Sequence, residues 1–386
     1  MKKPRDKAYL VILRPDHKPR NYLQESYAEM RQLVEAALAR VLGASTQNLD
    51  HPSPSHYIRE GKLTEIKTQA KALGANVLIF NVDLTPAQAR NIEKFTGIPA
   101  VDRTGLILDI FGRRATSAEG KLQVELARLS YMLPRLGGLG VVLSRLGGGV
   151  GTSGPGETEL EWDRRKIRLR IQRVKKDLEQ VRKHRSLIRA GRKKRNFITV
   201  AIVGYTNAGK STLLNTLTGA GTRVEDKVFA TLDPKTKLCR FKDAGNVLFV
   251  DTVGFLQDLP HGLVEAFHAT LEEVAEADFL IHVLDAYDDS AEVRKKAVEE
   301  VLEEIGAGRK QTLLVLNKGD LLNAEPKRKR LAGWPQGILI SAKDGSGVEA
   351  LLEKISELVC ALKLENKNAA CRQAGNQDEG ICPKPF

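Results

Sequence analysis

The stretch Gly204-Tyr205-Thr206-Asn207-Ala208-Gly209-Lys210-Ser211 decides how the rest of the sequence is interpreted. It matches the pattern G-x-x-x-x-G-K-[ST], follows the apolar run 197–203, and opens a predicted helix at Ser211. Glycine lets the backbone curl, so that successive N–H groups and the helix N-terminus face a β-phosphate. Lys210 would bridge the β- and γ-phosphates, and the Ser211 hydroxyl would ligate Mg²⁺. We predict a phosphate-binding loop whose nucleotide contacts extend to Thr212.

Around this loop, strand-like runs alternate with helix-like stretches. The apolar runs occupy residues 197–203, 247–251, 279–285, 312–317 and 337–341. Regular alternation of this kind is typical of a doubly wound parallel sheet with helices on both faces. We therefore predict the α/β fold class, with a P-loop domain over residues 196–360.

A second motif, Asp251-Thr252-Val253-Gly254, begins where an apolar run ends, 40 residues after Ser211. The Asp251 carboxylate is predicted to emerge at the carboxyl end of a strand beside the phosphates, where it would hold Mg²⁺ through water. The Gly254 N–H could sense the γ-phosphate. Alone D-x-x-G is a weak signal, but its distance from the phosphate loop makes it informative. We therefore name Gly254, together with Lys210, as catalytic.

Two further motifs predict the base. Asn317-Lys318-Gly319-Asp320 closes the run 313–316, and Ser341-Ala342-Lys343 follows the run 338–340. An aspartate at position 320 can accept both N1–H and N2–H of guanine, a pairing that adenine cannot offer. The Lys318 stem can cover the base, and the Ser341 loop supplies a backbone N–H for guanine O6. Beside adenine, the charged acceptor would lack a hydrogen bond, at a free-energy penalty of about 1–3 kcal/mol. The motifs therefore predict GTP and GDP as ligands and a P-loop GTPase domain.

Between these motifs lies Phe229-Ala230-Thr231-Leu232-Asp233-Pro234, whose residues 229–233 we include in the nucleotide site. A threonine here can complete the coordination of Mg²⁺ only when the γ-phosphate is present. Thr231 is therefore predicted to be the switch, a catalytic residue and, with Ser211, a metal ligand. The assignment depends on the order of the motifs along the chain.

Two residues bear on the reaction rate and on a second cation. Many GTPases carry, after D-x-x-G, a glutamine that orients the attacking water, and this chain has Phe255 there. A phenyl ring cannot orient water, so we predict slow intrinsic hydrolysis that a group from a partner stimulates. Asn207 resembles the asparagine of GTPases that place K⁺ beside the phosphates; the alternative is an asparagine that only fixes the geometry of the loop.

The two ends of the chain differ from the P-loop domain. Short apolar runs at 9–13, 76–80 and 106–110 alternate with helix-like stretches at 23–42, 63–73 and 86–95. We interpret residues 1–115 as a small α/β domain with an at least partly parallel sheet, in which the apolar runs are strands. Residues 361–386 are polar and are predicted to form a disordered tail.

Two heptad patterns lie between these domains, in a region that we bound at residues 116–195. The first comprises Leu122, Leu126, Leu129, Leu133 and Leu136, and the second Ile167, Ile171, Val174, Leu178, Val181 and Ile188. A spacing of 3.5 residues places each set on one seam, so the two helices can form an antiparallel coiled-coil hairpin. Nine glycines within residues 137–156 predict a flexible tip that brings backbone amides close to a partner. The alternative is a disordered linker.

Positive charge is concentrated in the second of these helices. Residues 163–195 hold 16 Lys or Arg and three acidic residues, and the resulting +13 equals the net charge of the whole 386-residue chain. A stripe of this kind fits a polyanion such as RNA better than a charge that only confers solubility; the alternative is a solvated helix face.

The remaining composition excludes several classes of protein. No apolar run approaches the ~18 residues of a membrane-spanning helix, and the run 9–13 is too short for a signal peptide. The four cysteines have no zinc-like spacing and are too few for a disulfide framework. We expect a cytoplasmic monomer with no membrane span.

The order of the motifs GYTNAGKS, FATLDP, DTVGF, NKGD and SAK resembles the HflX family within the Obg–HflX group of translation-factor-related GTPases. RTGLILDIFGRRATSAEGKLQVELARLSYMLPRL (103–136) is similar to that family's N-terminal domain running into its helical hairpin. GPGETELEWDRR (154–165) is similar to its glycine-rich loop and second helix. The resemblance covers residues 8–360, approximately. Two positions depart from the family's pattern: Arg59 replaces a glycine of Y-I-G-x-G-K, and Gly319 replaces an aliphatic residue.

The resemblance implies a cytoplasmic GTPase that binds the large (50S) ribosomal subunit and splits or rescues stalled or idle ribosomes. It also implies that the glycine-rich tip approaches the peptidyl-transferase region of ribosomal RNA. The basic hairpin agrees with this, because RNA is contacted largely through phosphate, shape and 2′-OH groups. A second hypothesis is a GTP-dependent RNA-modification or RNA-remodelling partner that acts on tRNA or mRNA. A third, a membrane-associated GTPase scaffold, is disfavoured by the lack of an apolar anchor.

Overall fold

The computed structural model describes residues 6–138 except 17 and 20, 159–194, 197–219, 229, 234–255, 271–322 and 333–375. The chain forms two compact units. The first is built from Met1–Ser186 and includes Phe229, and the second from Leu187–Glu225, Pro234–Gln257 and Thr270–Phe386. The division of the sequence at residues 115, 195 and 360 stays a prediction.

A four-stranded parallel sheet forms the centre of the first unit. Its strands are β1 (Lys7–Pro15), β2 (Arg40–Leu49), β3 (Val77–Phe80) and β4 (Ala100–Val101), in the order β2-β1-β3-β4. Helices α1 (Tyr22–Ala36), α2 (Glu60–Ala72) and α3 (Pro86–Thr96) connect them. Residues 8–13 of β1 are all buried, as expected of a parallel strand that is covered on both faces.

Two sequence-based assignments in this unit are wrong. The apolar run 106–110, predicted to be a strand, lies inside helix α4 (Arg103–Arg114). Asp102 begins that helix by accepting a hydrogen bond from the Gly105 N–H at 2.8 Å, and a short apolar run alone does not distinguish a strand from a buried helix. The helix predicted over 23–42 ends at Ala36, and Arg40–Leu49 forms β2 instead. This strand lies at the sheet edge, so its polar sequence lacked a strand signal.

The predicted hairpin consists of α5 (Ala118–Met132) and α6 (Glu159–Lys194). Its seam buries Leu126, Val174 and Leu178, with Leu122 and Ile171 packed against them. Arg170 pairs with Glu125 at 2.6 Å, and Arg185, further along α6, pairs with the earlier residue Glu119. The two helices therefore run antiparallel.

The first heptad pattern is longer than the first helix. Leu133 and Leu136 lie in a 3₁₀ helix (Leu133–Gly138) that follows α5, where Pro134 has no N–H with which to continue the α-helical hydrogen bonds. Of the predicted tip, residues 139–156 lie outside the described residues.

A buried acidic group fixes the C-terminal end of α5 and the 3₁₀ helix that follows it. Asp102, which is 2% exposed, accepts a hydrogen bond from the Tyr131 hydroxyl at 2.7 Å and pairs with Arg135 at 2.7 Å. The Arg135 guanidinium also stacks on the Tyr131 ring. Burial raises the pKa of Asp102, and burial next to that carboxylate raises the pKa of Tyr131. The 3₁₀ helix that leads toward the tip is thereby attached to the start of α4.

The second unit contains a six-stranded sheet of order β10-β9-β8-β5-β7-β6. Its strands are β5 (Ile198–Gly204), β6 (Lys235–Phe241), β7 (Gly245–Asp251), β8 (Phe279–Asp285), β9 (Thr312–Asn317) and β10 (Ile338–Leu339). All pairs are parallel except β6 with β7. The unit also contains helices α7 (Lys210–Thr218), α8 (Ala291–Glu304) and α9 (Val348–Gly375). The predicted α/β class is confirmed.

Two features of this unit were not predicted. Edge strand β6 was missed because its sequence, KTKLCRF, is largely polar and only partly buried. The tail predicted to be disordered from residue 361 is wrong for residues 361–375, which continue α9. The early part of α9 packs Val348, Leu351 and Ile355 into the core, and the helix extends beyond that anchor; residues 376–386 lie outside the described part.

In the described parts of the chain, no helix is both long enough and apolar enough to cross a membrane.

Candidate nucleotide-binding site

The phosphate-loop motif lies between β5 and α7 in the second unit. Its first glycine, Gly204, has φ +150°, and a Cβ there would lie 2.3 Å from the Val283 carbonyl oxygen. Gly209 has φ +93°, and a Cβ there would lie 2.2 Å from the Asn317 side-chain nitrogen. Only glycine satisfies both the conformation and the space at these positions. The loop therefore presents its backbone N–H groups, and those at the start of α7, in one concave turn.

The loop lysine is held inside this turn. Lys210 is 6% exposed, and its Nζ donates to the carbonyl oxygens of Gly204 at 3.0 Å and Tyr205 at 2.9 Å. Burial lowers the pKa of Lys210 to about 8, and the charge of Asp251 opposes that shift. A phosphate in the loop would supply a further negative charge beside this buried ammonium.

Ser211, one of the two predicted magnesium ligands, meets Asp251, which is predicted to hold the metal through water, at the end of β7. The Ser211 hydroxyl donates to the Asp251 carboxylate at 2.6 Å, and Asp251 is fully buried. Both groups offer oxygen atoms, which are the ligands that Mg²⁺ prefers, and Mg²⁺ typically uses only one or two protein oxygens plus phosphate and water. In the described residues, no three His, Cys, Asp or Glu side chains cluster as a metal site. The donor set fits a nucleotide-bound Mg²⁺.

The D-x-x-G segment pairs with the phosphate loop through its backbone. Phe255 forms a parallel bridge with Tyr205: its N–H donates to Gly204 O at 3.1 Å, and its carbonyl accepts from Thr206 N–H at 2.9 Å. A Cβ on Gly254 would lie 2.8 Å from the Thr206 Cα and 3.0 Å from the Lys210 Nζ. Phe255 itself is 5% exposed. No residue pattern predicts this bridge, because it is formed by backbone atoms alone.

Asn317 joins three of the motifs. Its side-chain nitrogen donates to the Ala208 carbonyl at 2.8 Å, and its side-chain oxygen accepts from the Ala342 N–H at 2.9 Å. Thr216 of α7 adds a hydrogen bond to the Ala342 carbonyl at 2.7 Å. Asn317 is 2% exposed, so it acts as a link between the phosphate loop and the Ser341 loop.

The predicted base-recognition residues lie together at the ends of β9 and β10. The Ser341 hydroxyl donates to Asp320 at 3.0 Å, which holds that carboxylate in one orientation. Lys318 adopts φ +65° and its Nζ pairs with Asp285 at 2.7 Å. A Cβ on Gly319 would lie 3.0 Å from the Ile340 carbonyl oxygen, so the glycine accommodates a close approach of the two loops.

The other predicted contacts divide into three groups. Thr252 and Val253 are buried between β7 and the loop, and the Thr252 hydroxyl donates to the Ile202 carbonyl at 2.7 Å. Thr212 lies in the first turn of α7, and Lys343 is exposed. Asn207 is exposed with φ +62°, a conformation that asparagine tolerates well; K⁺ binding there stays a prediction.

The predicted switch segment is only partly described. Ala230, Thr231, Leu232 and Asp233 lie outside the described residues. Phe229 belongs to the first unit, where its ring meets Phe111 of α4 edge-on at a centroid distance of 4.6 Å. The roles assigned to Thr231 therefore stay predictions.

Comparison with known proteins gives the same class over most of residues 24–318. Residues 24–112 match the family model "GTP-binding GTPase N-terminal", and residues 114–192 match "GTP-binding GTPase Middle Region". Residues 199–318 match "50S ribosome-binding GTPase". Together with the geometry of the phosphate loop, these matches define a P-loop GTPase, which hydrolyses GTP.

Curated relatives identify the family. The GTPase HflX of Caldanaerobacter subterraneus subsp. tengcongensis is 49% identical over 351 residues, covering 91% of this chain and 80% of that protein. The GTPase HflX of Escherichia coli K12 is 45% identical over 335 residues, covering 86% and 79%. The chain belongs to the HflX family of GTPases. A GTP-binding protein of Sulfolobus solfataricus, solved in complex with GDP, is 27% identical, with coverage of 92% and 99% and a TM-score of 0.47.

Proposed function

We propose that this GTPase acts as a monomer in the cytoplasm, binds the large (50S) ribosomal subunit, and splits or rescues stalled or idle ribosomes. The observation that carries the proposal is the long, exposed, cationic helix α6, present in the same chain as a GTP site. Relatives named GTPase HflX and a matching model described as a 50S ribosome-binding GTPase support it.

The nucleotide site would hold GTP through groups already in place. The N–H groups of the loop and the Lys210 ammonium would bind the β- and γ-phosphates, since both are fixed by the backbone of residues 204–209. Ser211, with Thr231 in the GTP state, would hold Mg²⁺, and Asp251 would hold it through water. The bound metal would neutralise charge between the β- and γ-phosphates.

Guanine would be selected by Asp320. Its carboxylate can accept two N–H groups of guanine, and its hydrogen bond from Ser341 restricts how it turns. The Ala342 N–H already donates to Asn317, which fixes the Ser341 loop against the phosphate loop. Base and phosphates would therefore be bound by parts of one connected network.

Hydrolysis would be slow without a partner. At the position after Gly254, where a water-orienting side chain would be needed, the Phe255 ring is buried and its backbone is bonded to the phosphate loop. We infer that the ribosome supplies or positions the group that orients the attacking water.

The hairpin would supply the contact with RNA. The exposed cations of α6 include Arg168, Arg173, Lys175 and Lys176, while its apolar residues Val174 and Leu178 are buried in the seam. Cations that face outward can replace counterions on RNA phosphates. The helix is therefore suited to a large polyanion, and the predicted glycine-rich tip would lie beyond its N-terminal end.

Cosedimentation tests the proposal. The full chain should sediment with 50S subunits in the presence of a non-hydrolysable GTP analogue, bind them more weakly with GDP, and hydrolyse GTP faster when they are present. The matched control is the same chain with free tRNA in place of subunits. Equal cosedimentation in both nucleotide states, or stronger stimulation by tRNA, would favour the RNA-modification or remodelling hypothesis instead.

A further inference from the structure

A tryptophan side chain lies exposed near the start of α6. Trp162 is 54% exposed, although the indole is one of the largest apolar groups a chain can bury. The Lys166 Nζ lies 5.0 Å from the centre of its ring. Trp162 is therefore part of a surface and not of the hairpin core.

The exposed tryptophan belongs to one face of the helix. Trp162, Lys166, Leu169 and Arg173 follow a 4-3-4 spacing, so they lie one above another. At about 100° per residue, this face points about 180° away from Ile171, which packs in the seam. Leu169 is 58% exposed, and Lys166 and Arg173 are exposed as well. The face thus combines an aromatic ring with cations at exposed positions of the helix.

We propose that Trp162 stacks on an unpaired nucleobase of RNA while Lys166 binds a phosphate of the same strand. The inference rests on the proposed RNA-binding role of the hairpin and names the kind of RNA that this end of α6 prefers. Stacking requires a base whose face is open, which a duplex does not offer. The acidic neighbours Glu161 and Asp163 lie about 100° to either side of the ring. The charged residues on the same face as Trp162 are therefore the cations Lys166 and Arg173.

The arrangement of charge favours RNA over a lipid surface. A helix that lies in a membrane interface separates its apolar and cationic residues onto opposite faces. On α6, Lys166 lies between Trp162 and Leu169 on the same face, and further cations surround the helix. Each apolar contact with lipid would therefore carry an ammonium group into the acyl boundary, whereas a nucleotide offers a flat base and a phosphate together.

Fluorescence provides a direct measurement. The chain has two tryptophans, and Trp334 is packed in the second unit, so Trp334→Phe leaves Trp162 as the remaining indole. The full-length Trp334→Phe protein is titrated with a short unstructured oligo(C) strand and with an RNA duplex of equal length. The strand should quench the Trp162 emission, and the duplex should bind with little quenching.

Three substitutions separate stacking from charge. Trp162→Leu should weaken binding of oligo(C) roughly 5- to 150-fold, Trp162→Phe should weaken it less, and neither should change duplex binding. Lys166→Gln should flatten the log–log salt dependence of oligo(C) binding by about 0.7. Leu169→Ala, on the same face, is the matched control and should leave both RNA affinities unchanged.

The outcomes distinguish this proposal from the function on which it rests. Unquenched emission, or equal loss of strand and duplex binding in Trp162→Leu, would overturn stacking while RNA binding by the hairpin survived. If the unsubstituted chain bound neither RNA, the RNA role of the hairpin would itself be overturned. Trp162-dependent binding to phosphatidylglycerol vesicles, with a blue shift of the emission and no response to RNA, would assign the face to membranes and overturn both.

Discussion

The nucleotide site of the second unit and the helix α6 present their functional groups in opposite ways. In the site, Lys210, Asp251 and Asn317 are almost completely buried, and each is held by named hydrogen bonds. On α6 most of the described cations are exposed, and the helix is fixed by a narrow apolar seam. One region depends on geometry within the fold, and the other depends on the total charge and surface that it offers to a partner.

This difference predicts how each region responds to substitution. Removing a buried polar group leaves its hydrogen-bond partners unsatisfied, which has a large free-energy penalty. Single substitutions in the site should therefore have large effects on nucleotide binding and hydrolysis. Removing one exposed cation changes one contact among many, so substitutions of the α6 cations should have small, additive effects that are visible mainly in the salt dependence of binding. The predictions below test that contrast, beginning with the largest expected effect.

Lys210→Ala and Ser211→Ala should each reduce GTP turnover by roughly 100- to 1,000-fold, because they remove a preorganised phosphate cation and a Mg²⁺ ligand respectively. Steady-state phosphate release at saturating GTP and Mg²⁺ is the measurement. Ser211→Thr keeps a hydroxyl and serves as the control, with most activity retained. Wild-type turnover in either alanine variant would show that this loop is not the catalytic site.

Acid should destabilise the second unit through His282. This residue of β8 is 2% exposed, and burial lowers its pKa from 6.5 to about 4. As pH falls below 6.5, His282 binds a proton in the unfolded chain. In the folded chain it stays neutral until about pH 4. Stability is therefore complete above pH 6.5 and declines below it, with a total loss on the order of 3 kcal/mol.

Urea unfolding at several pH values tests that sign. His282→Val removes the titrating group from a strand position that suits valine, so its free energy of unfolding should fall less between neutral and mildly acidic pH than that of the unsubstituted chain. Both proteins lose stability from carboxylates, which cancels in the comparison. Identical pH profiles for the two proteins would contradict the assignment to His282.

Asp320→Asn should weaken GTP binding by about 1–3 kcal/mol, because the N–H groups of guanine lose a charged acceptor. The fold should be unaffected, since Asp320 lies in a short 3₁₀ turn (Gly319–Leu321) after β9. Xanthosine triphosphate provides the control: its C2 carbonyl can accept a hydrogen bond from the new amide, so the variant should prefer it to GTP. Unchanged GTP affinity, or equal affinity of the unsubstituted chain for ATP and GTP, would reject guanine recognition by this residue.

The sequence revealed the site more completely than the fold around it. The motifs at residues 204–211, 251–254 and 317–320 each follow a buried strand, and the parallel sheet brings their ends to one edge. Their residue types are dictated by local conformation: Gly204 and Gly209 have positive φ, and Gly254 lies against the backbone of Thr206. A binding site that depends on local backbone geometry can therefore be predicted from residue types at fixed spacings in the sequence.

What the sequence did not reveal depends on contacts between distant residues. Strands β2 and β6 lie at sheet edges, and their polar sequences do not predict a strand. Their strand conformation depends on pairing with the neighbouring strands. The bridge between Phe255 and Tyr205 uses backbone atoms alone. The N-K-G-D motif placed Asn317 in the site. Its hydrogen bond with Ala342 joins residues that are 25 positions apart in the chain, and the motif does not predict that contact. Such features become visible only after the chain is folded.

The smallest effect is expected on α6. Arg173 and Lys176 are exposed, three residues apart on the side away from the seam, and Arg173→Glu with Lys176→Glu would remove two cations that can neutralise RNA phosphates. Each neutralised phosphate contributes close to 0.9 to the log–log salt slope for a duplex and about 0.7 for a single strand. The slope of 50S binding should therefore flatten by roughly 1.4 to 1.8, while GTP turnover without ribosomes and the free energy of unfolding should stay near their original values, the latter within about 0.5 kcal/mol.

A charge-matched control decides whether position or total charge matters. Lys296→Glu with Arg309→Glu changes the net charge equally at exposed positions of the second unit, far from the helix in sequence. If binding depends on the face of α6, this control should retain the original slope, because the contacts that release counterions are local. If both double variants flatten the slope equally, the ribosome responds only to the overall charge of the chain. If neither does, the cations of α6 form a solvated face. The helix would then not be a charged binding surface, and the contrast with the buried nucleotide site would not hold.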